Sequence, residues 1–151
     1  MIELYTDGAA KGNPGNGGYG TILIFGKHRK ELSQGFRMTT NNRMELLAVI
    51  AGLEALNTNE HPITIYSDSK YVVDAINKGW LQGWVKKGFT GKKNIDLWKR
   101  FLPLSKKFKL TFKWVKGHAG IPENERCDEL AVTAALGPNL LIDKGFESQQ
   151  E

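Results

Sequence analysis

Residues 31–56 read ELSQGFRMTTNNRMELLAVIAGLEAL, and within this stretch the spacing of apolar residues changes from that of a strand to that of a helix. Residues 2–6, 21–25 and 31–38 alternate or form short apolar runs rich in β-forming side chains, which predicts three successive strands. From about 42 to 56 the apolar residues recur every three or four positions, which predicts a helix. A meander of strands therefore gives way to a helix.

The remainder of the chain alternates between the two kinds of element. The patterns predict a strand over 63–66, helices over 69–77 and 95–105, a strand from residue 110 and a last helix over 123–136. Three strands followed by such an alternation indicate an α/β fold, with one mixed sheet covered by helices on both faces.

Length and composition are typical of one globular domain. The chain has 151 residues, of which 40% are hydrophobic, enough for a core without disulfide bonds or structural metals. Cys127 is the only cysteine, so we expect a reducing compartment, the cytoplasm. The first residues do not resemble a signal peptide, and no segment predicts a membrane span. We expect a domain over 1–137 and a polar, partly disordered tail over 138–151.

Basic residues are concentrated in one segment. Ten of the 21 lysines and arginines lie between Lys78 and Lys109, a span in which Asp96 is the only acid. The formal net charge of +5 is therefore carried by this part of the chain. A dense basic segment predicts contact with a nucleic-acid backbone, although a solvated surface is the alternative.

A glycine-rich run, Gly15–Gly20, matches the G-x-G-x-x-G spacing of dinucleotide-binding sites. That motif requires glycines which open a helix after a strand, whereas these lead into the β-rich residues 21–25. We interpret the run as a permissive turn between two strands. No serine elbow or cysteine pair predicts nucleophilic catalysis or a zinc site.

Four acidic residues, Asp7, Glu45, Asp68 and Asp128, are candidates for a catalytic site, and each also has a structural explanation. Asp7-Gly8 is a common turn pair, and Asp68 precedes a helix as an N-cap would. Glu45 resembles a capping-box partner. Asp128 lies early in a helix whose dipole favours acids.

Their joint placement predicts a metal site. Asp7 and Asp68 follow strands whose carboxyl ends meet at one edge of the sheet if the strands are parallel neighbours. Glu45 would reach in from the first long helix, and Asp128 from the last. Clustered carboxylates repel one another unless a cation neutralises them, and their oxygens suit Mg²⁺ or Mn²⁺. Two such ions can promote phosphodiester cleavage.

Several longer motifs resemble those of bacterial ribonuclease HI, the type 1 RNase H family. The matching segments run in order over residues 2–136: YTDGAAKGNPG (5–15), GGYG (17–20), TTNNRMEL (39–46), SDS (67–69), WVKGHAG (114–120) and PENERCDELA (122–131).

The resemblance implies an endonuclease that cleaves the RNA strand of an RNA/DNA hybrid, leaving 5′-phosphate and 3′-hydroxyl ends. It implies an RNase H-like fold, with a five-stranded mixed sheet made of a three-strand meander and two parallel strands. It assigns metal binding to the four acids, with Mg²⁺, or Mn²⁺ as a substitute, and two ions when substrate is bound. His118 corresponds to the family's loop histidine, which assists proton transfer or product release.

The resemblance also implies substrate contacts, for which the residues allow ordinary alternatives. Asn13, Asn41 and Asn42 match segments that contact the hybrid, but asparagine also serves turns and caps. Thr40 and Asn94 resemble the family's pocket for a DNA phosphate; Asn94 is also a candidate N-cap. The basic segment over about 78–94, with Lys86 and Lys87, resembles the family's basic protrusion.

Two other functions stay open beside a hybrid-specific nuclease that acts as a monomer. One is a non-catalytic hybrid-binding module that has kept the fold. The other is a different nuclease of the same superfamily, such as a junction resolvase. The complete set of four acids and His118 argues against the first, and the length of the motif match argues against the second.

Overall fold

A computed structural model describes residues 1–148 and contains one sheet with helices packed against it. The elements in chain order are β1 (Ile2–Ala10), β2 (Gly15–Phe25), β3 (His28–Thr39), α1 (Asn41–Glu54), β4 (Ile63–Ser67), α2 (Lys70–Asn77), α3 (Trp80–Lys86), α4 (Ile95–Lys107), β5 (Leu110–Trp114), α5 (Pro122–Leu136), β6 (Leu140–Leu141) and α6 (Lys144–Glu147).

The sheet is mixed, with the strand order β5-β4-β1-β2-β3-β6. Antiparallel pairing joins β1 to β2 and β2 to β3, whereas β4 is parallel to both β1 and β5. The meander and the two parallel strands that we expected are therefore confirmed. The strand count is not: β6, only two residues long, pairs in parallel with β3 as a sixth strand. Two residues are too few to show a periodicity.

Helices α1 and α5 cover opposite faces of the sheet, as predicted. Gly52 of α1 packs against Leu4 and Thr21, whereas the backbone of α5 lies over Gly18 and Gly20. Side chains of adjacent strand residues point to opposite faces, so Thr21 and Gly20 assign the two helices to different sides. The buried core lies mainly on the α1 side, where α1 and α4 contribute Ile50, Trp98 and Phe101.

The interpretation of Gly15–Gly20 as a turn was wrong. These residues form the first half of β2, and the turn lies before them. A Cβ atom on Gly18 would come within 2.5 Å of the Ala131 carbonyl oxygen, and one on Gly20 within 2.7 Å of Leu130 Cβ. The glycines are therefore needed because α5 rests directly on the strand, a close approach that only glycine permits.

The basic segment contains a short helix, α3, that the sequence patterns did not predict. Trp84 of α3 packs its ring against Trp98 of α4 at a centroid distance of 5.7 Å, which joins the segment to the core. Trp80 is exposed on the same helix. Lys86 and Lys87, at the end of α3, are exposed to solvent.

The tail that we expected to be partly disordered has regular structure as far as the described residues reach. It contributes β6 and α6, and Asp143 between them binds the guanidinium group of Arg43, which is 1% exposed. Local composition does not reveal a partner 100 residues away in the chain. Residues 149–151 lie outside the described residues.

Across residues 1–148, none of the helices combines the length and the apolar character that a membrane span requires.

Gly20→Ala should destabilise the protein by about 1–3 kcal/mol, because the added methyl group would push α5 off β2. Gly83→Ala is the matched control, since a Cβ there meets open space on a helix, and alanine favours helix by up to about 1 kcal/mol. Urea unfolding measures both variants. Equal stabilities of the two variants would contradict the close approach of α5.

Candidate active site

Two of the predicted acids lie where the parallel pairing of β1 and β4 ends. The last paired residues are Thr6 and Ser67, and Asp7 and Asp68 are the next residue on each strand. Strand β1 continues beyond this point to Ala10, paired only with β2. Both carboxylates therefore emerge at one sheet edge, as the strand order led us to expect.

Glu45 comes to the same edge from the second turn of α1. A Cβ atom on Gly8 would collide with the backbone of Met44 and Glu45. The absence of a side chain at Gly8 thus allows the beginning of α1 to rest directly on β1. This contact explains the Asp-Gly pair, which lies inside a strand rather than in a turn.

Asp7, Glu45 and Asp68 form a compact cluster. One carboxylate oxygen from each residue lies within 4.8 Å of one from each of the others. Asp7 is 6% exposed, and its Oδ1 accepts a hydrogen bond of 2.9 Å from the Gly8 N–H. The buried oxygens Glu45 Oε1 and Asp68 Oδ1 have no hydrogen-bond partner among the described residues. Buried carboxylate oxygens without partners suit a hard cation.

The cluster disfavours its own negative charge. Burial, and after it the charge of Asp68, raises the pKa of Asp7 to about 7. Burial, followed by the charges of Asp7 and Asp68, raises the pKa of Glu45 well above its ordinary range. A divalent cation would reverse this preference by pairing with the ionised forms.

Asp128 is near this cluster but is not one of its three members. It lies in the second turn of α5, is half-buried, and its charge contributes to the raised pKa of Asp7. One turn earlier on the same helix, Asn124 is 3% exposed, and its Oδ1 lacks a partner among residues 1–148. The sequence did not single out Asn124, because a buried amide has no signature.

The loop that carries His118 is fastened to the end of β4. The Val115 N–H donates to the Ser67 carbonyl oxygen at 2.9 Å, and Trp114 Nε1–H donates to the Asp68 carbonyl oxygen at 3.1 Å. A Cβ on Gly117 would lie 2.8 Å from Asp68 Oδ2, so the loop runs against the acidic cluster. His118 itself is exposed, with a φ of 56°.

The helix-cap explanations for Glu45 and Asp68 do not hold. Thr40 is the N-cap of α1 and accepts a hydrogen bond from the Arg43 N–H, so Glu45 is not a capping-box partner. Ser69 is the N-cap of α2, the place we had considered for Asp68. Glu45 and Asp68 therefore lack the capping roles that would account for them.

A second feature is a cavity of about 600 Å³ beside the start of α1, which we call the Thr40–Asn94 pocket. Its lining residues are Asn13, Pro14, Thr40, Asn42, Lys93, Asn94 and Phe146. Asn94 begins α4 without a side-chain cap; instead its Nδ2–H donates to the hydroxyl of Tyr71 at 3.0 Å. The sequence paired Thr40 with Asn94 but missed Phe146.

Asn13 and Asn41 connect the turn after β1 to the start of α1. Asn41 Oδ1 accepts a hydrogen bond from the Ala10 N–H at 2.6 Å, and Asn13 Oδ1 accepts one from the Asn41 N–H at 3.0 Å. Their side-chain oxygens therefore stabilise the turn by accepting backbone hydrogen bonds. This is the structural role that we considered above as the alternative to substrate contact. Asn42 is exposed beside them.

A carboxylate cluster at the edge of a mixed sheet, in a chain that also has a dense basic segment, is typical of the α/β class of metal-dependent nucleases. The RNase H family model matches residues 1–136. The chain belongs to the ribonuclease H family.

Close relatives and solved structures agree with this assignment. A ribonuclease H of Rippkaea orientalis is 54% identical over 98% of this chain and 93% of its own length, and one of Desulforamulus reducens is 56% identical over 94% and 92%. The crystal structure of LC9-RNase H1 superposes with a TM-score of 0.80 at 29% identity, covering 98% of this chain and 79% of that one. The crystal structure of RNase H1 of Halobacterium salinarum superposes with a TM-score of 0.68 at 28% identity, covering 88% of this chain and 96% of that one.

Without divalent ions, Asp7→Asn should stabilise the protein at pH 8 by roughly 1–3 kcal/mol. The unfolded Asp7 carboxyl loses its proton near pH 4, whereas the folded one keeps it to about pH 7. The free energy of unfolding therefore falls as pH rises through this window, and the amide removes that loss. Urea unfolding between pH 4 and 8 measures the slope.

Glu60→Gln, on the exposed surface, is the control and should keep the wild-type slope. Mg²⁺ should stabilise the wild type at pH 8 and have little effect on Asp7→Asn. Parallel pH profiles for wild type and Asp7→Asn would refute the electrostatic account of the cluster.

Proposed function

We propose that this protein is an endonuclease that hydrolyses the RNA strand of RNA/DNA hybrids, leaving 5′-phosphate and 3′-hydroxyl ends. The observation that carries the proposal is the cluster of Asp7, Glu45 and Asp68, with two buried oxygens that have no partner among residues 1–148. A module that only bound the hybrid without cleaving it would gain nothing from three carboxylates held together at a cost in stability. Membership of the ribonuclease H family supports the choice of substrate.

The residues fit a divalent cation, and we propose Mg²⁺, with Mn²⁺ as a substitute. Asp7, Glu45 and Asp68 would hold it, and Asp128, whose charge reaches Asp7, would contribute to a second ion when substrate is bound. Bound ions of this kind supply an activated water and stabilise the departing oxygen of a phosphodiester.

The chain's own residues prepare the site in two ways. Gly8 and Gly117 allow α1 and the His118 loop to lie against the acids, so the carboxylates are held in place before substrate arrives. His118 is exposed and follows Gly117, which lies against Asp68; an imidazole in this loop can accept or release a proton during cleavage. We propose this role for His118 as an assistant to the acids.

Asn13, Asn41 and Asn42 are proposed to contact the minor groove of the hybrid near the cut. Two of their side-chain oxygens hold the backbone, which fixes the position of the amide groups on one edge. Amides so placed can hydrogen-bond 2′-hydroxyls and base edges in the wide minor groove of an A-like duplex.

The DNA strand is proposed to be bound through its phosphates. The Thr40–Asn94 pocket presents hydroxyl and amide groups beside Lys93, a combination that suits one phosphate group. Lys86 and Lys87, exposed at the end of α3, would contact the backbone further along. We also propose that the protein acts as a monomer in the cytoplasm.

A panel of labelled duplexes tests the proposed activity. With Mg²⁺ the protein should cleave the RNA of an RNA/DNA hybrid and leave double-stranded RNA, double-stranded DNA and a four-way junction intact. EDTA should abolish cleavage, and Asp7→Asn should reduce the rate by about 10³-fold or more, because it removes one of three clustered ligands. Mapping of the product ends distinguishes 5′-phosphate from 3′-phosphate.

Asp74→Asn serves as the control, because Asp74 forms a surface ion pair with Lys78, and it should cleave like the wild type. Binding of the hybrid without cleavage would favour the non-catalytic module. Cleavage of the junction would favour another nuclease of the superfamily.

The double variant Lys86→Ala/Lys87→Ala should weaken hybrid binding and lower the slope of log K against log salt by about 1–2, since each phosphate contact contributes nearly one. Lys27→Ala/Lys30→Ala removes the same charge from the exposed turn after β2 and the exposed start of β3 and should leave the slope within about half a unit of wild type. Fluorescence anisotropy at several salt concentrations measures both. Equal slopes for the two variants would indicate that Lys86 and Lys87 belong only to a solvated surface and do not contact the backbone.

A further inference from the structure

We propose that the carboxyl-terminal strap, Leu140–Glu147, is a positioning element for the DNA strand, because it builds one wall of the Thr40–Asn94 pocket and holds that pocket in shape. The inference rests on the proposed function in one respect: it takes the pocket to bind a backbone phosphate of the DNA strand. It adds residues from the segment that the sequence patterns assigned to a partly disordered tail.

Phe146 is the strap's direct contribution to the pocket. It is half-buried and lines the cavity together with Thr40, Lys93 and Asn94. The polar groups of the pocket thus face an aromatic side chain. An apolar wall excludes water from one side of a bound phosphate. It thereby strengthens the hydrogen bonds that the polar groups on the opposite side of the pocket donate to the phosphate.

Asp143 acts on the pocket through Arg43. Asp143 Oδ2 and Oδ1 accept hydrogen bonds from Arg43 Nε–H and Nη2–H at 2.8 and 2.9 Å. On its other side the same guanidinium donates to the two oxygens of Asp96 at 2.8 and 2.7 Å, and its Nη1 lies 3.5 Å from Asn94 Oδ1. A continuous chain of polar contacts therefore runs from the strap to Asn94.

Arg43 is a support in this chain and not a phosphate ligand. Its side chain is 1% exposed, and two carboxylates already neutralise it. The cation available to a phosphate in the pocket is Lys93, which is exposed. The strap thus fixes neutral and aromatic groups, while Lys93 supplies the charge.

The strap is attached at points that do not touch the pocket. Strand β6 pairs with β3 at Gly35 and Phe36, and Arg37 forms a bidentate ion pair with Glu147. Asp143 also accepts a hydrogen bond of 2.7 Å from the Thr39 hydroxyl. Position 145 must be glycine, because a Cβ there would collide with Asp96 Oδ2. These attachments allow the pocket wall to be altered without detaching the strap.

A scan of neutral linkages tests the inference. Hybrids are prepared in which a single methylphosphonate replaces one phosphate of the DNA strand, and KM and kcat are measured for each position. Wild type should show a position at which the neutral linkage raises KM and which stays sensitive when Lys86 and Lys87 are both replaced by Ala. Phe146→Ala should raise KM for the unmodified hybrid about three- to tenfold with kcat within about twofold, a loss of binding shared by ground and transition states. In Phe146→Ala, the increase in KM that the neutral linkage causes at that position should also largely disappear.

Two further variants separate positioning from stability. Phe146→Leu keeps an apolar wall and should restore most of the wild-type KM and the positional penalty. Glu54→Gln removes an exposed ion pair with Arg100 between α1 and α4, outside both the strap and the pocket, and should leave both unchanged. Thermal unfolding of all three variants is followed in parallel, since a purely structural role would make KM follow the melting temperature.

The outcomes distinguish this inference from the function on which it rests. A position that is sensitive in wild type and equally sensitive in Phe146→Ala overturns the role of the strap and leaves the pocket assigned to phosphate. A flat profile in wild type overturns the assignment of the pocket, and the strap's role falls with it. Cleavage of the unmodified hybrid by wild type tests the activity itself, independently of both.

Discussion

The direct contact of α1 with β1 at Gly8 is the constraint on which the site depends. Because no side chain separates the two elements, the start of α1 brings Glu45 beside Asp7 and leaves both carboxyl groups with little water. Burial, followed by the charge of Asp68, raises the pKa of Asp7, and burial, followed by the charges of Asp7 and Asp68, raises that of Glu45. The fold holds these carboxyl groups closer together than they would come in solution. A bound cation would offset the repulsion between them. The suitability of the cluster for a cation and its cost to stability have the same origin.

Periodicity predicted the main helices and strands, because an amphipathic face is a property of local sequence. It failed where tertiary contacts decide the structure. Gly18 and Gly20 look like turn residues, yet they form a strand because α5 needs their bare backbone. Strand β6 is specified by its pairing with β3, and α3 by the packing of Trp84 on Trp98. None of these partners is close in sequence.

The candidate site shows the same division. The order of strands was enough to place Asp7 and Asp68 at one edge, since parallel neighbours end together. The structural explanations for single acids failed because neighbouring residues, Thr40 and Ser69, occupy the caps. For the pocket around Thr40, the sequence predicted only the residues on one side. Its other wall depends on Asp143 finding Arg43, a contact that composition does not indicate.

The molecule separates charges that support the fold from charges that remain available for function. Arg43, the most buried basic side chain in any ion pair of residues 1–148, is fully used by Asp96 and Asp143. No ion pair among those residues includes an acid of the Asp7, Glu45 and Asp68 cluster; the pairs lie elsewhere. An arginine beside these acids would have lowered their pKa and taken the place of a cation. Because the described residues place no arginine or lysine in an ion pair with these acids, their carboxylate oxygens keep the ligand capacity that suits a divalent cation.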